Sequence, residues 1–124
     1  MSKTVTITLA LGVTDGTQQT VAIAPEDYEF EVDQYQTVSL DLAPAAGVVL
    51  DVSTGFIANW TSIQGFALDI EAGYVEVTST STGAEPIQVS SKGFFAGTEM
   101  TYLEIANTSS VVVTGTLTVW GRTS

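Results

Sequence analysis

Apolar and polar residues alternate with a period of two along almost the whole chain, and a helical spacing of three and four is nearly absent. That rhythm marks strands with one face buried and the other wet. Val5, Ile7, Leu9 and Leu11 point one way in the first such stretch, against Thr4, Thr6, Thr8 and Ala10. Asp15-Gly16 then supplies a tight-turn pair, Val21 and Ile23 continue on a return strand, and Pro25 is expected to stop it. Further alternating stretches carry Phe30 and Val32; Val38, Leu40 and Leu42; Val48, Leu50 and Val52; Phe66, Leu68 and Ile70; Val75 and Val77; and Ile87 and Val89. Ser79 to Gly83 reads as a mobile surface loop, Lys92 to Gly97 as a glycine-rich turn, and Trp60 to Gln64 as a single helical turn. Leu103 and Ile105, then Val111, Val113, Leu117 and Val119, form the strongest pair of strands, with Asn107 to Ser110 as the expected hairpin loop.

About nine or ten short strands at regular spacing predict an all-β, antiparallel β-sandwich, jelly-roll-like, built as one domain over residues 1–124. A chain of 124 residues buries enough surface to stand without staples, and with no cysteine it has none. Met1-Ser2-Lys3-Thr4 runs straight into the alternation, so no secretory signal is expected and the reading is a soluble product made in a cytoplasm. No apolar run approaches the length of a membrane span.

Fourteen acidic residues face three basic ones, Lys3, Lys92 and Arg122, for a formal charge of −11. Nucleic-acid and anionic-membrane binding both draw on Lys and Arg, so neither is expected. Thr and Ser number 19 and 11, a bias that suits the wet face of strands.

The catalytic inventory is poor. Without histidine or cysteine, the arrangements that activate a nucleophile through an imidazole or use a thiolate cannot be built. Paired carboxylates could serve glycoside cleavage by type alone, and Glu29, Glu31, Asp33, Asp69, Glu71 and Glu76 are the candidates. All fall at outward positions, which favours a solvated face, so no catalytic residue, cofactor or metal ligand is assigned. Calcium is the nearest alternative, because Glu26, Asp27, Glu29, Glu31 and Asp33 lie within eight residues; their spacing matches no ligand loop, and alternate strand residues stand about 7 Å apart.

The closing strand is more informative. Val112, Thr114, Thr116, Thr118 and Trp120 share the face opposite Val113, Leu117 and Val119, while Met100 and Tyr102 lie opposite Leu103 and Ile105. Met100, Tyr102, Val112 and Trp120 are therefore the candidate interface residues, an apolar patch on the nominally wet face. The alternative is a bulge at Gly115 that flips the parity and buries Trp120 in the core. Trp60 reads as core, and Phe56, Phe94 and Phe95 as loop aromatics that close the sandwich ends or anchor a partner.

A Cys-free, His-free, acidic, Thr-rich β-sandwich opening at Met1-Ser2-Lys3 resembles the accessory virion proteins of tailed bacteriophages, including capsid decoration or cement proteins. The run Tyr102-Leu103-Glu104-Ile105-Ala106-Asn107-Thr108-Ser109-Ser110, followed by Val111-Val112-Val113-Thr114-Gly115, is similar to their closing hairpins. The resemblance implies a non-enzymatic structural role on the outside of the virion. The protein would bind the major capsid protein or another virion protein as a homo-oligomer, often a trimer, and stiffen the shell. A tail or connector component is the nearest variant. Two readings of other classes stand beside it: a carbohydrate-binding module that stacks sugars on exposed aromatics, and a glycoside-processing enzyme with paired carboxylates in a cleft.

Overall fold

A computed structural model describes residues 3–52, 55–79 and 86–123. Among them are ten strands, and the chain divides into two compact units, Met1–Val32 and Asp33–Ser124. The first unit is a long antiparallel hairpin of β1 (Lys3–Asp15) and β2 (Gln18–Val32). Gly16 takes a positive φ of 66° in the turn, as the Asp15-Gly16 signal leads one to expect. Pro25 does not end the strand. It falls where the register shifts between Leu9↔Glu26 and Leu11↔Ile23, an irregularity on β2 that accommodates a residue with no N–H to donate.

The second unit is the sandwich. Its strands are β3 (Gln34–Leu42), β4 (Gly47–Asp51), β5 (Ser62–Ala72), β6 (Val75–Ser79), β7 (Ile87–Val89), β8 (Lys92–Met100), β9 (Tyr102–Asn107) and β10 (Val113–Arg122). They form two four-stranded antiparallel sheets, ordered β3-β10-β5-β8 and β4-β9-β6-β7. Among the described strands of this unit, only β6 and β7 are consecutive within one sheet; every other connection between them passes to the opposite sheet, which is a jelly-roll arrangement.

The alternation read from the sequence matches the burial over most of the sandwich, except that Ile87 and Val111, both expected to face inward, are 48 % and 51 % exposed. Leu40 and Leu42 on β3, Phe66, Leu68 and Ile70 on β5, Val75 and Val77 on β6, Leu103 and Ile105 on β9, and Val113, Leu117 and Val119 on β10 all join one core between the sheets. Each such side chain contributes about 1.5–3 kcal/mol when taken out of water. Ile57 from the turn Gly55–Ile57, Trp60 and Met100 complete the core. Trp60 is core as expected, but the helical turn lies at Gly55–Ile57 and not at Trp60 to Gln64, where β5 has already begun.

Two further readings are corrected. Lys92 to Gly97 is part of β8, not a turn, because adjacent Phe94 and Phe95 between glycines hide the alternation. Asn107 to Ser110 does not close a hairpin either. β9 pairs with β4 and β6, β10 pairs with β3 and β5, and residues 108–112 carry the chain from one sheet to the other. Most of the expected loop at Ser79 to Gly83 lies outside the described residues; Ser79 itself ends β6 and is buried.

Asn107 holds that crossover in place. It sits at an inward position at the end of β9 and is 1 % exposed. Its Nδ2 donates to Leu42 O and to Val111 O, both at 2.8 Å, and its Oδ1 accepts from Ser109 N at 2.9 Å and from the Ser109 hydroxyl at 2.7 Å. Both donors and both lone-pair sites are used, so the side chain is fully satisfied. Its main chain accepts from Ala45 N and donates to Ala46 O, tying the β3–β4 turn to the same point.

Candidate functional site

Every carboxylate whose side chain is described is exposed or half-buried, and none of these lies in the core. Asp69 pairs with Lys92 at 2.9 Å with both side chains mostly in water, so the pair contributes at most about 1 kcal/mol. Asp33 accepts from Thr123 N at 2.9 Å and from Thr123 Oγ1 at 3.0 Å, which fastens the end of β10 to the start of β3. On the hairpin, register separates the acids proposed for calcium. Asp27, Glu29 and Glu31 lie opposite Thr8, Thr6 and Thr4, and Glu26 is opposite Leu9 on the other face. Among the described residues no group of three or more such side chains is placed to hold a metal ion. Thr8 Oγ1 donates to Asp27 Oδ1 at 2.6 Å instead.

The four candidate interface residues do not come together. Met100 is 1 % exposed and belongs to the core. Tyr102 is half-buried on β9, in the sheet opposite Trp120, and Val112 is 47 % exposed just before β10 begins. The expected patch fails because it took β9 and β10 for neighbours.

Trp120 resolves in a way that neither alternative anticipated. β10 pairs with β3 without irregularity, so Trp120 keeps its outward parity, opposite Leu117 and Val119. The bulges lie on β5, which skips Glu71 beside Gly115 and Gln64 beside Gly121. Yet Trp120 is 2 % exposed and is not part of the core cluster. Gly65 makes room for it: a Cβ there would stand 2.6 Å from Trp120 Cε2 and 2.6 Å from Phe95 O. The buried indole N–H has no hydrogen-bond partner among the described residues. A ring so enclosed offers no stacking platform for a sugar.

What the sandwich does present is a cleft of ≈ 250 Å³ at the margin where β7 and β8 end their sheets. Phe66, Val77, Ile87, Val89, Phe94 and Phe95 line it, with Gln88 and Lys92 at hand. Phe66 and Phe95 stack at 6.2 Å between centroids, 9° from parallel, along one wall. Ile87 and Phe94 are 48 % and 47 % exposed. The lining is mostly apolar surface with one cation, Lys92, at its edge. Adjacent Phe94-Phe95 after Gly93 was the available signal, but with β8 read as a turn it could not be placed. The side chain of Phe56 lies outside the described residues.

The hairpin is the second surface. Register sets Val5, Ile7, Leu9 and Tyr28 on one face and Thr4, Thr6 and Thr8 with Asp27, Glu29 and Glu31 on the other. Leu9 and Tyr28 are 38 % and 44 % exposed.

No family model matches this sequence, and no curated protein matches it. A solved structure described as the Schizosaccharomyces pombe Cnp3 cupin domain is similar at a TM-score of 0.45 and 15 % identity, over 94 % of this chain and 83 % of that one.

Proposed function

We propose that this chain is a non-enzymatic structural protein that binds the outside of a tailed-phage capsid shell and stabilises it. The observation that carries the reading is the placement of its chemistry. The carboxylates whose side chains are described are exposed or half-buried and do not converge, and the core between the sheets is apolar, so what supports a contact role is shape, charge and exposed apolar side chains. The sequence resemblance to decoration proteins supplies the partner class, the major capsid protein or another virion protein. A charge of −11 suits the outer surface, away from packaged DNA, and an acidic coat favours a shell exterior with basic patches. The cleft beside Phe94 and Ile87 suits an apolar side chain of that partner as an anchor.

Co-sedimentation with DNA-filled heads lacking accessory proteins tests the proposal. Saturable binding is expected, at a stoichiometry matching the lattice, with heads that then withstand higher temperature before releasing DNA. Free protein in the supernatant with every head type tried, or turnover of a glycoside, would overturn it.

A further inference from the structure

β1 pairs with β2 along one side, and among the described residues no strand pairs with its other side. An open strand edge is a template for another strand. The two edges of this hairpin differ. β2 carries Glu26, Asp27, Glu29 and Glu31 and contains Pro25, which are devices that discourage pairing. β1 carries none of them. From Thr4 to Thr14 it holds no charge and no proline, and it is rich in Thr, Val, Ile and Leu. Its two charges stand at its ends with opposite sign, Lys3 and Asp15.

We infer that β1 is a self-complementary edge, along which a second copy of this chain adds its own β1 antiparallel, centred on Leu9. In that register Lys3 stands opposite Asp15 at both ends, Val5 opposite Val13, Ile7 opposite Leu11, and Leu9 opposite itself. The intervening positions match Thr4 with Thr14, Thr6 with Gly12 and Thr8 with Ala10. Apolar residues meet apolar ones, and small polar residues meet small ones. The irregularities in the β1–β2 ladder place their extra residues on β2, so β1 keeps one parity from end to end and the pattern stays in phase. The charges select the arrangement. Parallel pairing sets Lys3 against Lys3 and Asp15 against Asp15, and a slip of two residues breaks both ion pairs. The product is a closed, two-fold, four-stranded sheet. This inference goes beyond shell binding, which neither requires nor forbids it.

The chain contains no cysteine, so Leu9→Cys introduces a single thiol into the full-length protein. Directly opposed residues in an antiparallel pair have Cα atoms about 4.5–5.5 Å apart, within disulfide reach. Mild oxidation is expected to convert L9C to covalent dimer, whereas T6C, which faces Gly12, remains largely monomeric. Lys3→Asp and Asp15→Lys each reverse both end pairs and are expected to weaken dimerisation about tenfold. An equimolar mixture of the two restores it, because each end then joins opposite charges. Circular dichroism melts identify a variant that has failed to fold, and the mixing experiment does not depend on the cysteine variants. A strictly monomeric parent chain, equal cross-linking of L9C and T6C, or open-ended polymers would overturn the inference. A monomer that still binds shells removes this inference alone, and a dimer that ignores them removes only the shell-binding proposal.

Discussion

Replacing Asn107 by alanine strikes the point where the two sheets exchange the chain. The side chain makes four hydrogen bonds at 2.7–2.9 Å from a position 1 % exposed, and water cannot readily replace them. Each is worth about 1 kcal/mol net, and stranding a buried partner costs about 1–3 kcal/mol. One loss is softened, since the Ser109 hydroxyl already lies 3.1 Å from Val111 O and can turn to it. The expected cost is therefore about 3 kcal/mol, or roughly 10–15 °C in Tm for a chain of this size. Urea unfolding followed by far-UV circular dichroism measures it, with exposed Thr108→Ala as the neutral control. Asn107→Asp is expected to cost more than alanine at neutral pH, because a carboxylate oxygen then faces the carbonyls of Leu42 and Val111. An N107A variant within about 1 kcal/mol of the parent, or N107D as stable as N107A, would refute the assignment of the crossover to this side chain.

Gly65→Ala puts a methyl group into the Trp120 ring and the Phe95 carbonyl, so a loss of about 2–3 kcal/mol is expected; a shift in tryptophan emission on a folded protein would trace it to Trp120. Phe66→Ala removes a buried ring and its stacking contact with Phe95 and is expected to cost about 3–5 kcal/mol by urea melt, whereas exposed Phe94→Ala changes stability by less than about 1 kcal/mol. Asp69→Asn breaks the Lys92 pair in open solvent and is expected to move Tm by no more than a few degrees. A chain trimmed to residues 33–124 is expected to retain a cooperative thermal transition, because every residue of the core cluster belongs to that unit.

The sheet character of this protein was legible residue by residue. Leu40 and Leu42, Phe66, Leu68 and Ile70, and Leu117 and Val119 announce their buried face through the period of two, and tertiary packing obeys it because a strand has only two faces. The scarcity of reactive side chains was equally plain from composition. Asn107 reads in the sequence only as the first residue of a hairpin loop, because its partners Leu42 and Val111 come from opposite directions along the chain. Partner choice was not legible at all. β9 and β10 look like a hairpin because alternation specifies which side of a strand is apolar and says nothing about which strand lies beside it. Sheet-to-sheet packing settled that, and with it the dispersal of Met100, Tyr102, Val112 and Trp120 to four different environments. Trp120 carries the lesson furthest. Its parity is outward and its ring is buried, because parity is local geometry while solvent access depends on everything folded around it.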